Sequence, residues 1–245
     1  MTPSSARADT GAPTHALYDE DLRQGILAEA TRRLQDAAPE KLGLRPLAAS
    51  QGTSTTAIYT MFGGKAGLLW AVAHEADRRL AGALRDALRY DSVEGDMRSL
   101  CRAYRRWALD NQGLYGLVVG DPARSPGAGH ARTGRTGSEP LSREPLSREP
   151  LSREPQFREP QWREPLLEIV DALVDEGIFR SADVHETATA IWASLHGVVS
   201  LELSVWRDSP SAEQYFETQL AAILRSWAAG SASAGSASTS TGTAG

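Results

Sequence analysis

Residues Leu44 to Leu69 read LRPLAASQGTSTTAIYTMFGGKAGLL, and the reading of this stretch decides the fold. Leu44, Leu47 and Ala48 recur at helical spacing and make one apolar face. Gln51-Gly52-Thr53 interrupts that face with a glycine, the residue best suited to a tight turn. Ser54 or Thr55 then offers a side-chain oxygen to an orphan N–H of a second short helix. That helix turns Ala57, Ile58, Met61 and Phe62 inward and leaves Thr55, Thr56, Tyr59 and Thr60 outside. Gly63-Gly64 stops it, and Lys65 opens a third, longer helix. Two short helices joined by a glycine turn, the second polar outside, have the sequence form of a helix-turn-helix. Small hydroxylic side chains on such a helix approach base edges and phosphates closely, while its apolar back docks on the domain. Short Thr-rich helices between glycines are uncommon in a plain helical bundle, which is the alternative. The candidate DNA-facing residues are Arg45, Thr53, Ser54, Thr55, Thr56, Tyr59, Thr60 and Lys65. A lysine in a helix's first turn is unfavourable for the dipole, so Lys65 is better explained by an outside anion such as a DNA phosphate.

Working outward, Tyr18 to about Ala37 forms the preceding helix, with Leu22, Ile26, Leu27, Ala30 and Leu34 at three- and four-residue steps. Pro39 ends it, and residues 38–43 link it to the helix-turn-helix. Residues 18–68 thus make a three-helix DNA-reading domain. Residues 1–17 are polar and read as a disordered tail. After Lys65, an apolar stripe from Leu68 through Leu88 predicts one long helix to about Tyr90, the natural lever between the reader and the rest. Val93 to about Val119 reads as two helices broken at Asn111-Gln112-Gly113; Tyr104, Trp107 and Tyr115 cluster there. Further helices are predicted over Leu166–Glu176, Ala182–Trp206 and Ser211–Trp227. Residues 230–245 are a Ser/Ala/Gly/Thr tail expected to be disordered. The fold class is therefore all-α, with residues 69–229 forming a helical bundle behind the reader.

One feature of this bundle is unlike an ordinary domain. From Leu141 to Pro165 the chain reads LSREP-LSREP-LSREP-QFREP-QWREP, preceded by Glu139-Pro140. A proline every fifth residue forbids a regular helix and a central strand. Residues 139–165 read as an extended, flexible insertion, with Phe157 and Trp162 of the later copies packing towards the next helix. A docking segment for a protein partner is the functional alternative.

Composition narrows the function. The 245 residues carry a formal net charge of −5 and a single cysteine, Cys101. No internal disulfide is possible, no apolar run reaches the roughly 18 residues of a membrane span, and the amino terminus lacks a secretory signal. A cytoplasmic location with no membrane contact is expected. An acidic chain is not a general nucleic-acid coat, but a sequence-specific reader needs only a local basic footprint. Here that is Arg23, Arg32, Arg33, Lys41, Arg45 and Lys65 against Glu29, Asp36 and Glu40. Few phosphate contacts per module imply a dimer on two half-sites. For catalysis, neither a nucleophile with its base, nor paired carboxylates, nor metal-ligand spacing is visible, so no enzyme, metal or cofactor is expected.

At these residues a family resemblance is found. Leu44, Arg45, Leu47, Ala48, Gly52, Ser54, Ala57, Ile58, Tyr59, Phe62, Lys65 and Leu68 fall in the register of the amino-terminal domain of TetR/AcrR-type transcriptional regulators, which the stretch resembles. Thr53 replaces the usual valine, and Met61 replaces a His or Tyr that in relatives approaches the DNA backbone. Further on, Trp192-Ala193-Ser194-Leu195-His196-Gly197, then Leu201-Glu202, is similar to the signature of the WHG-type ligand-binding domain of a TetR subfamily. The resemblance implies a homodimeric regulator, most simply a repressor released from a palindromic double-stranded operator by a small-molecule effector. It implies a four-helix interface between chains, for which Leu195, Val199, Leu203, Leu220, Ile223 and Leu224 supply apolar stripes. It also supports a ligand cavity lined by Tyr104, Trp107, Tyr115, Trp192 and His196, although His196 read alone is more simply a buried, hydrogen-bonded histidine or a close-packing point beside Gly197. The alternative function is an all-α protein-interaction module whose repeat docks a partner and whose helix-turn-helix is only structural.

Overall fold

The computed structural model of the chain describes residues 14–120, 159–180, 183–207 and 209–229. The expectations for residues 1–13, for the body of the repeat and for residues 230–245 lie outside these. Among the described residues there is no strand, only one isolated bridge between Phe179 and Ala228, and the regular structure is otherwise helical. The helices are α1 (Thr14–Leu34), α2 (Leu44–Ser50), α3 (Thr55–Phe62), α4 (Lys65–Arg85), α5 (Val93–Asp110), α6 (Gln112–Val119), α7 (Arg163–Asp175), α8 (Val184–Ser204) and α9 (Ala212–Trp227), with a 3-10 turn at Pro39–Lys41. The chain divides into two compact units: Met1–Leu88 with Arg102–Pro165, and Arg89–Cys101 with Leu166–Gly245.

In the first unit α1, α3 and α6 pack on α4, and α2 joins α1 to α3. The apolar spacing explains this. Ile26, Ala30 and Leu34 of α1, Leu47 and Ala48 of α2, Ile58 and Phe62 of α3, and Leu68, Leu69, Val72 and Leu80 of α4 are all buried. Each large aliphatic side chain so buried contributes about 1.5–3 kcal/mol relative to exposure. Polar links fix the register. Arg33 donates to the Ser50 hydroxyl at 2.9 Å and so ties α1 to α2. The Gly113 N–H donates to the Gln35 carbonyl at 3.0 Å and ties α6 to the end of α1.

The second unit packs α8 on α9. Asp183 caps α8 by accepting from the Glu186 N–H at 2.9 Å. The strand-like bridge after α7 pairs Arg180 N–H with the Trp227 carbonyl and Ala229 N–H with the Ile178 carbonyl. In the turn before α5, the buried Asp96 carboxylate accepts from the Arg89 and Tyr90 N–H groups at 2.7 and 3.0 Å.

Three expectations are corrected. α1 begins at Thr14, not Tyr18, and closes at Leu34. The last repeat is not extended to its end: Arg163, Glu164 and Pro165 already form the first turn of α7. Proline is tolerated there because the first turn's N–H groups have no intrahelical partner to lose. Finally, most of the residues assigned to an interface between chains are spent inside one chain. Leu195 and Val199 of α8 and Leu220, Ile223 and Leu224 of α9 are already buried within the single chain. Among the described residues, the large apolar side chains that this unit leaves exposed are Tyr90 before α5, and Leu201, Val205 and Tyr215 on and around α8 and α9.

Candidate functional site

The polar face of α3 is built by its two ends. Ser54 caps it: the extended backbone of Ser54 lets its hydroxyl accept from the Ala57 N–H at 3.4 Å. At the other end Gly63, in the left-handed region, returns its N–H to the Tyr59 carbonyl at 2.9 Å. Between these caps Ile58 and Phe62 are buried, which turns Thr56, Tyr59 and Thr60 to solvent. Tyr59 is 60% exposed, a large aromatic surface for so short a helix. Thr60 donates its hydroxyl to the Thr56 carbonyl at 3.1 Å. Thr53 and Thr55 are half-buried beside this row, and Arg45 is exposed on α2. Lys65 opens α4 and donates from Nζ to the Glu40 carbonyl at 3.1 Å. Its neighbourhood is unbalanced: α4 has no acidic residue in its first turn and no side-chain cap. The first-turn N–H groups and the ammonium therefore sum to a positive end.

The basic footprint is smaller than its arginine count. Arg23 lies over the Phe62 ring at 5.2 Å and pairs with Glu20. Arg32 and Arg33 both bind Glu29, at 2.8 and 2.7 Å. These hydrogen bonds, Arg32 first, hold the Glu29 carboxyl at about 2. Among the described residues, Lys41, Arg45 and Lys65 are the footprint cations not engaged in an ion pair.

The aromatic residues assigned to an effector fall in both units. In the first, the Tyr104 and Tyr115 hydroxyls meet at 3.1 Å and their rings meet edge-on at 5.9 Å. Trp162 tilts against Tyr104 at 6.1 Å. It is held there by Asp77, whose carboxylate accepts from the Gln161 and Trp162 N–H groups at 3.0 and 3.1 Å. Trp107 is buried beside a separate open groove of about 300 Å³ lined by Asp86, Arg106 and Asp110. In the second unit, Trp192 stacks on His196 at 5.5 Å, and Ser200 Oγ lies 3.4 Å from the His196 ring nitrogen Nε2. Burial pushes the His196 imidazole below its usual value. So the structure brings together Tyr104 with Tyr115, and Trp192 with His196. Sequence reasoning missed Asp77, whose only signal was its place on α4. It also missed Gly64, which carries the close approach of Tyr59 described below.

Among the described residues no group of three or more His, Cys, Asp and Glu is placed to hold a metal ion, and no helix is long and apolar enough to cross a membrane.

An all-helical chain that presents a capped, hydroxyl-bearing helix behind a glycine turn belongs to the helix-turn-helix class of regulators. A profile described as tetracyclin repressor-like, C-terminal domain, matches residues 97–223, more than half of the chain. The chain belongs to the TetR family of transcriptional regulators. Comparison with curated proteins finds no match. Among solved structures, a protein of unknown function from Rhodococcus sp. RHA1 is 23% identical, with 84% of this chain and 95% of that one covered and a TM-score of 0.61. A TetR-family transcriptional regulator from Pectobacterium atrosepticum is 21% identical over 87% of this chain and 97% of its own, with a TM-score of 0.58. RolR in complex with resorcinol is 20% identical over 86% of this chain and 90% of its own, with a TM-score of 0.55. Likeness at these identities speaks to the fold.

Proposed function

We propose that this DNA-binding regulator acts as a homodimeric repressor on a palindromic site and that a small molecule in its carboxyl-terminal domain releases it. The observation that carries the reading is the outward row of α3, where Thr56, Tyr59 and Thr60 are exposed over a buried Ile58 and Phe62. A short helix with an apolar back and small hydroxyls in front can seat in a major groove. Arg45, Thr53, Ser54, Thr55 and Lys65 flank that row and complete the proposed DNA surface. Two such readers would enter successive major grooves about 34–36 Å apart. The exposed Leu201, Val205 and Tyr215 are apolar surface that a second copy would cover.

For the effector, the proposed contacts are Tyr104, Trp107 and Tyr115 in the first unit and, taken separately, Trp192 and His196 in the second. Mostly apolar linings with a few polar groups suit a small-molecule sensor. Resorcinol, the ligand in the RolR complex, is a rational first probe. An effector can shift the DNA-bound population only by as much as its affinities for the two states differ. Repression is proposed because release needs only a ligand that binds better to a dimer whose readers are mis-spaced for successive grooves.

The test is selection of duplexes from a random pool by the purified full-length protein, followed by binding to the best duplex with and without resorcinol and related phenols. An enriched palindrome is expected. A folded, dimeric protein that enriches nothing would overturn the DNA-reading proposal.

A further inference from the structure

We infer that Gly64 is a positioning residue for DNA contact: its missing side chain seats the Tyr59 ring on the outer face of α3 before DNA arrives. The inference rests on the proposed function, because it is the DNA contact of Tyr59 that is being positioned.

Three observations lead to it. First, the backbone of Gly64 has φ 102° and ψ −162°, a region open essentially only to glycine. Gly63, its neighbour, has φ 74° and ψ 16°, the ordinary left-handed region of a helix C-cap, which Asn also visits. Second, a Cβ built on Gly64 would lie 2.9 Å from Tyr59 Cε1, 3.2 Å from Cδ1 and 3.7 Å from Cζ. One edge of the ring therefore occupies the space a Gly64 side chain would need; Gly64 is buried although Tyr59 is 60% exposed. A Cβ built on Gly63 meets nothing within 4 Å. Third, Gly64 occupies the N-cap position of α4 and offers no capping side chain there. Ser, Asp or Asn at that position would add a capping oxygen. The backbone at φ 102° disfavours all three, and a side chain of any of them would also meet the Tyr59 ring.

The physical consequence is pre-ordering. An exposed tyrosine held by nothing samples several rotamers and must lose them on binding. Here the absence of a Cβ at Gly64 leaves the ring room to lie over that backbone, and it is this placement that is proposed to be ready before DNA arrives. Filling Gly64 with a methyl group displaces the ring edge, and the DNA complex bears the cost of reordering it, about two- to tenfold in affinity per protomer.

The two adjacent glycines supply the experiment. Affinity is measured for a duplex that the wild-type protein recovers from a random pool, at a temperature where each variant is folded. Gly64→Ala is expected to lose about two- to tenfold per protomer, and Gly63→Ala, strained but without the ring contact, to stay within about twofold. Tyr59→Ala is then combined with Gly64→Ala. If Gly64 acts through Tyr59, the second substitution costs nothing further in the Tyr59→Ala background. Equal losses in both backgrounds would show a merely structural glycine and overturn the inference. Should Gly64→Ala fail to fold, nuclear Overhauser contacts between the Tyr59 ring and the Gly64 Hα protons of the wild-type protein decide: their presence supports the inference and their absence overturns it. A wild-type protein that binds no DNA would instead sink the proposed function, and the ring contact would still be read by the same spectrum.

Discussion

At the scale of single residues, the reader is held together by charge that it cannot then spend on DNA. Glu29 takes Arg32 and Arg33 at three- and four-residue spacing, and its carboxyl titrates at about 2 against an ordinary 4.5. Between those values the unfolded chain binds the extra proton. The contribution of Glu29 is therefore complete above about pH 4.5 and is lost as the pH falls towards 2. Denaturant unfolding across pH 2–7 should show Glu29→Gln less stable than wild type at neutral pH and converging with it near pH 2; parallel curves would refute the pairing. His196 works with the same sign from a different cause. Burial disfavours its cation, so the folded imidazole titrates below 6.5 and the unfolded one takes the proton first. Its contribution is full above about pH 6.5 and is lost as the pH falls below that value. A proton NMR titration should place the His196 midpoint under 6.5; a midpoint at or above it would contradict the burial. The exposed row of Thr56, Tyr59 and Thr60 was legible in the sequence because helical spacing alone separates it from Ile58 and Phe62. The Lys65 contact with the Glu40 carbonyl was not, since it joins residues 25 apart through a turn whose geometry no local pattern specifies.

At the scale of elements, α3 is short enough that its caps matter. An isolated helix of this length is marginal in water and persists through packing and its ends. Ser54→Ala removes the hydroxyl that accepts from the Ala57 N–H, a long bond at 3.4 Å, so the loss should fall at the low end of the capping range, about 0.5–1 kcal/mol. Urea denaturation checks this; a loss above about 2 kcal/mol would mean that Ser54 does more than cap. Periodicity located every helix of the core, because burial of one stripe is a demand the sequence itself records. The ends and partners were less visible. α7 starts three residues early because proline in a first turn breaks no bond. The stripes of α8 and α9 were read as meeting a second chain, yet Leu195 and Leu220 are already buried within one. An apolar stripe states that it will be covered and does not name the cover. Likewise the repeat told nothing of Asp77, which receives its last copy, because a carboxylate that accepts two backbone N–H groups leaves no trace in spacing.

At the scale of the whole molecule, an acidic regulator must bind a polyanion. The formal net charge is −5, so the long-range field opposes DNA and binding relies on a few local cations. The ion pairs decide how few. With Arg23, Arg32 and Arg33 committed to Glu20 and Glu29, each reader keeps Lys41, Arg45 and Lys65 among the described footprint residues. In a dimer this makes about six phosphate-neutralising groups, and each releases about 0.9 of a counterion from duplex DNA. The logarithm of the binding constant should then fall with the logarithm of salt at a slope of about −5. Arg45→Ala, which removes one cation from each protomer, should flatten that slope to about −4 and weaken binding to matched and mismatched duplexes alike. Glu29→Gln tests the partition itself. Freeing Arg32 and Arg33 should steepen the slope if they can reach the phosphates, and leave it unchanged if their place on α1 keeps them away. Fluorescence anisotropy with a labelled duplex from 50 to 300 mM salt measures all three proteins. A wild-type slope near −10 would mean that residues outside the described footprint carry most of the contact; a slope near zero would remove the electrostatic basis for reading this surface as a DNA-binding one.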